Sequence, residues 1–239
     1  MRLRLSGLSL ALSAALIGGC DAGEPGGPAD PTLVFELDFD SGTHGYSAGF
    51  ADYPQADADS YDLTSDHRAI PAPLGARSGL FIAGTNYSDD LFMFFKGSVT
   101  GLAPGVRYQA AISLEIATDV PSGCVGIGGA PGESVVVKGG AAEVEPMPVL
   151  DGPMLRMNID VGAQSNSGTR AVVLGDIANS RTCGEPSRWE VKPLDSQVVP
   201  EPVTASPEGR GWILFGTDSG FEGRTGIYFT RVTVSFTPI

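Results

Sequence analysis

The 239 residues carry 28 acidic against 15 basic side chains, a formal charge of −13. So acidic a chain lacks the basic footprint that nucleic acid and anionic lipid head groups require, and nucleic acid is excluded as a partner. With 33 glycines and 18 prolines, and no helix-favouring runs, the composition favours strands joined by turns.

In chain order, Arg2 and Arg4 precede an apolar run from Leu5 to Ile17, too short for a good membrane span. This predicts a secretory signal over residues 1–19. The stretch Leu16-Ile17-Gly18-Gly19-Cys20 resembles the lipobox of bacterial lipoproteins. The resemblance implies a diacylglycerol on the thiol of Cys20, cleavage just before it, and a firm membrane anchor of several acyl chains. An ordinary signal cut near Gly19 is the alternative. Asp21 resembles the inner-membrane retention signal of enteric bacteria, but rules differ between lineages. The expected location is the bacterial cell envelope, with inner or outer membrane left open. Residues 20–31 then form a Pro/Gly tether, and one domain fills 32–239.

The domain opens on Leu33–Phe39, where apolar and polar residues alternate as in a half-buried strand. Residues 40–77 read as a long, polar, aromatic and turn-rich segment. Further strands are expected at Gly79–Ala83, Leu91–Lys96, Val106–Ala117, Ser134–Lys138, Met154–Val161, Arg170–Gly175, Arg188–Val191, Gly211–Gly216 and Gly226–Phe236. The alternation in the last slips near Thr230-Arg231, which suggests a bulge. About ten short strands without an amphipathic helix predict an all-β, single-domain, jelly-roll-type β-sandwich. Cys124 and Cys183 remain as an even pair in an oxidising compartment and are expected to form a disulfide.

Three segments resemble the carbohydrate-binding modules of galactose-binding-like fold: Phe35 to Tyr46, the turn Leu102-Ala-Pro-Gly-Val-Arg-Tyr108, and the closing strand Ile227 to Val234. The resemblance implies a β-sandwich with a glycan ligand. That family's last strand usually carries an aspartate of a structural calcium site, whereas Thr230 or Arg231 stands here. Ser88 to Phe95 and Pro121 to Gly132 are similar to uncharacterised bacterial lipoproteins.

Chemistry is constrained by having only two histidines, His44 and His67, without metal-ligand spacing, and both are expected in loops. No G-x-S-x-G elbow is present, and the glycine run 126–132 lacks the Lys-Ser/Thr of a phosphate loop. Hard oxygen ligands suit Ca²⁺, with Asp38, Asp40, Asp218 and Glu222 as the candidate set. A glycan site needs aromatic platforms and polar groups for hydroxyls. The candidates are Tyr46, Phe50, Tyr53, Tyr87 and Trp189 as rings, with Asn86, Asp89 and Asp90 to orient a sugar, while Trp212 reads as core. The sequence thus leads to a lipid-anchored envelope protein that binds carbohydrate. An assembly lipoprotein binding another envelope protein is the alternative, and an enzyme on envelope polymers ranks behind both.

Overall fold

Alternating apolar residues build two antiparallel sheets that face each other across one core. The computed structural model describes residues 31–87 and 90–239. The signal, Cys20 and the tether up to residue 30 lie outside the described residues, as do Ser88 and Asp89.

Fifteen strands are described: β1 (Leu33–Asp38), β2 (Ser47–Ala51), β3 (Tyr53–Pro54), β4 (Thr64–Ala69), β5 (Ser78–Thr85), β6 (Leu91–Thr100), β7 (Arg107–Thr118), β8 (Val135–Ala142), β9 (Pro148–Asp151), β10 (Met154–Met157), β11 (Ala171–Asp176), β12 (Glu190–Val198), β13 (Val203–Thr204), β14 (Arg210–Ser219) and β15 (Arg224–Pro238). One sheet of seven strands has the order β12-β7-β15-β5-β4, with β1 added to β15 and β13 to β7. The facing sheet of five runs β11-β8-β14-β6-β2. The chain passes between these two sheets at β1–β2, β5–β6, β6–β7, β7–β8, β11–β12, β13–β14 and β14–β15, the jelly-roll habit.

The core between the sheets takes Ile112, Leu114 and Ile116 from β7 and Val232, Val234 and Phe236 from β15. Opposite them stand Met93 and Phe95 from β6 and Ile213 and Phe215 from β14. Their period of two puts one face of each strand inside. The expected slip in β15 is a register shift between Phe229 and Arg231 against β7. There the Thr230 hydroxyl donates to the Glu115 carbonyl (3.0 Å) and carboxylate (2.8 Å).

A third, three-stranded sheet of order β3-β10-β9 lies beside the outer face of the five-stranded sheet. Met157, Ile159 and Val161 pack there on Phe92, Phe94 and Leu214. Residues 143–170 thus form a strap over that face. The expected Cys124–Cys183 disulfide is present, joining the β7–β8 and β11–β12 connections.

Three expectations are corrected. The segment 40–77 is not one irregular loop: it holds β2, β3, β4 and two 3-10 turns, Phe39–Ser41 and Gln55–Tyr61. His67 lies within β4, not in a loop. Trp212 is half-buried on the outer face, because its neighbours Ile213 and Phe215 take the inward positions of β14.

Candidate functional site

The ends of β5, β7, β11 and β14 and the starts of β6, β8, β12 and β15 meet at one pole of the sandwich. On its rim, the 3-10 turn Gln55–Tyr61 ends at Asp62, held in the left-handed region at φ 49°. Tyr61 is buried, with its ring 5.1 Å from Tyr53. Tyr87 stands edge-on to Tyr61 at 5.6 Å and keeps 62% of its surface exposed. Among the described Phe, Tyr and Trp side chains it is the one that is exposed.

A depression of about 680 Å³ opens there, lined by Ala58, Asp59, Asp62, Leu63, Thr64 and Arg224. Arg224 pairs across strands with Thr85, two residues before Tyr87, and reaches the Asp62 carbonyl at 3.4 Å. Asp59 and Asp62 are exposed. Ring, carboxylates and guanidinium on one rim can meet a ligand that has both an apolar face and hydroxyls.

The expected ring platform is otherwise dispersed. Tyr46 and Tyr53 are buried and Phe50 packs against the core, so none of the three presents an open face. The reason is close fit: a side chain added at Gly97 would collide with the Tyr46 ring lying over it. Trp189 is half-buried on the outer face of the seven-stranded sheet, edge-on to Tyr228 at 5.1 Å. Asn86 is interior: its amide donates to the carbonyls of Ser219 (2.7 Å) and Phe221 (3.1 Å), fixing the β14–β15 loop below Tyr87. Asp89 lies outside the described residues. His44 and His67 both hydrogen-bond backbone carbonyls, of Asp38 (2.8 Å) and Phe39 (2.6 Å).

Asp90 belongs to a charged cluster. Arg156 of β10 reaches Asp52 at 2.9 Å and Asp90 at 3.1 Å. Burial pushes the Asp52 carboxyl up to about 6; Arg156 opposes this, while Asp90 and Asp218 add repulsion. Asp218 is buried against Lys138 at 2.8 Å. The other carboxylates of the expected calcium set are not gathered around it. A hydrogen bond from the Asp40 N–H, then Arg231 at 3.0 Å, hold Asp38 below its ordinary value. Asp40 accepts from the Ser78 N–H, and Glu222 sits in the β14–β15 loop. Among the described residues no group of three or more His, Cys, Asp or Glu is placed to hold a metal ion.

Sequence reasoning missed Asp59, Asp62, Arg224, Lys138 and Arg156. The one available signal was Lys138 itself, a lone charge in Val135-Val-Val-Lys-Gly-Gly.

The fold and this rim define a β-sandwich with a polar depression at one pole and an exposed tyrosine on the same rim. No family model matches the chain, and no curated protein sequence matches it. Several solved structures resemble it at low identity. The enzymatically active domain of tailspike protein 4 of bacteriophage CBA120 is 11% identical with a TM-score of 0.34, over 84% of this chain and 20% of that one. A carbohydrate-binding module of the β-sandwich superfamily is 13% identical with a TM-score of 0.40, over 84% and 60%. The K3 adhesin domain of Lys-gingipain from Porphyromonas gingivalis is 12% identical with a TM-score of 0.38, over 86% and 99%. The chain thus spans less than two thirds of the first two.

Proposed function

We propose that this protein is a binding module that recognises carbohydrate at the cell envelope, carried there by a lipid on Cys20. The observation that supports it is Tyr87, an exposed ring seated on the buried Tyr61, which closes the turn that supplies Asp59 to the depression lined by Asp62 and Arg224. A sugar would lie its C–H face on the Tyr87 ring while its hydroxyls meet the carboxylates and the guanidinium. The acidic rim favours neutral over anionic glycans.

A glycan-array screen followed by calorimetric titration tests this. Tyr87→Ala should weaken binding at least tenfold with an unchanged melting temperature. Equal affinity in that variant, or a blank array, defeats the proposal.

A second reading, docking of another envelope protein, is favoured by the apolar residues Val144, Met147, Val149 and Leu150 on and before the edge strand β9, which are 39–59% exposed. An exposed apolar edge is a template for strand addition. Leu150→Lys would abolish such docking and leave glycan binding intact.

A further inference from the structure

Among the described ion pairs, Lys138–Asp218 is the one that solvent does not reach, with side-chain exposures of 0% and 1%. Lys138 projects from β8 and Asp218 from the neighbouring β14, where Gly216 faces Lys138 and Val136 faces Asp218. Both point to the outer face, since Val135, Val137 and Phe215 take the inward positions. The pair is therefore a diagonal neighbour contact between hydrogen-bonded strands, under the strap of residues 143–170.

Its hydrogen bonds are uneven. The Lys138 ammonium donates to Asp218 Oδ2 (2.8 Å) and to the Val161 carbonyl (3.0 Å). The Gln164 N–H donates to the same Oδ2 at 2.9 Å. Asp218 Oδ1 is buried and has no hydrogen-bond partner among the described residues. An orphaned carboxylate oxygen in an interior is costly as long as the group stays charged. Burial pushes the Asp218 carboxyl up, with Lys138 opposing. Passing one proton from ammonium to carboxylate removes both charges and leaves an amine in contact with a carboxylic acid.

We propose that Lys138 and Asp218 condense into an intramolecular amide, a covalent cross-link between β8 and β14. The lone pair of Nζ forms the new bond to Cγ, one covalent bond beyond the Oδ2 that Nζ already touches at 2.8 Å, so the two reacting groups are held as fixed neighbours. Oδ2 stays as the amide oxygen, and the Gln164 N–H already aimed at it steadies the charge that builds there. Oδ1, which nothing holds, departs. It takes up two of the three hydrogens of the original ammonium and leaves as water, while the third remains as the amide N–H. Atoms and charge balance without oxidant or reductant. A cavity of about 160 Å³ is lined in part by Val136, which faces Asp218 across the strands, and by Gln164, whose N–H binds it, and can receive the released water.

Peptide mapping of the full chain tests this. The protein is purified, its disulfide reduced, and the chain digested with trypsin. A cross-link blocks cleavage after Lys138 and joins residues 108–156 to residues 211–224 in one branched species, lighter by one water than its parts. Lys138→Arg, which keeps the charge without a primary amine, should return residues 211–224 as a free peptide. Wild-type protein that yields 108–138, 139–156 and 211–224 as separate peptides at their sequence masses overturns the proposal.

Discussion

At the scale of single residues, Asp52 shows how burial sets a pH dependence. Its folded-state pKa of about 6 stands above the ordinary 3.8, so the folded protein binds this proton more tightly than the unfolded chain. Its contribution to stability is present below the lower value and lost as pH rises through the upper one. Asp52→Asn should therefore flatten the pH dependence of the urea midpoint between these values, an effect of no more than about 3 kcal/mol. A slope identical to wild type would contradict the assignment. Gly97 makes a steric prediction of the same kind. A Cβ there would lie 2.5 Å from the Tyr46 ring, which is wedged among Phe39 and Phe215. Gly97→Ala should cost about 1–3 kcal/mol in chemical denaturation.

At the scale of elements, the disulfide ties two connections that are 59 residues apart in sequence. Replacing both Cys124 and Cys183 by serine should lower unfolding free energy by about 2–4 kcal/mol, measured against the oxidised wild type. The β15 bulge gives a smaller, local expectation. Thr230→Val removes a donor to Glu115 and should cost about 0.5–1.5 kcal/mol, because part-buried acceptors lose one hydrogen bond while Arg77 stays on the carboxylate. These features were legible before the structure: β15, β7 and β14 announce themselves by alternation, and the slip at Thr230-Arg231 by its interruption. What stayed hidden has a physical reason. Strand β4, Thr64–Ala69, contributes backbone hydrogen bonds to β5 with no fully buried side chain, so no apolar period marks it. Tyr46 and Tyr53 sit among Gly, Ser and Asp, which read locally as surface; only packing on Phe39 and Phe215 for the first, and on Tyr61 for the second, makes them core. The depression joins residues 58–64 to Arg224, a proximity created by strand pairing and invisible in the linear order.

At the scale of the molecule, the two poles differ in role. Leu33 pairs with Phe236, so the chain enters at the end of the sandwich opposite Arg224 and Tyr87. Strand β15 spans 15 residues, roughly 50 Å at about 3.3 Å per residue. A tether leaving from Thr32 would therefore hold the Tyr87 rim outward from its point of attachment. Immobilising the protein through its N-terminus should leave ligand capture unimpaired. Attachment through a thiol placed at Val125, which is 97% exposed at the distal pole, should suppress it.

The pairing of the first strand with the last also orders events in time. Strand β1 is made long before its partners, residues 231–236. Strand β5 waits for the same element, and so does one side of β7. Contacts so distant in sequence form slowly. Until β15 is made, the seven-stranded sheet has no centre and β1 has no strand to pair with. Closure of this sheet is thus set by the synthesis of its central strand, not by the order in which its other strands appear.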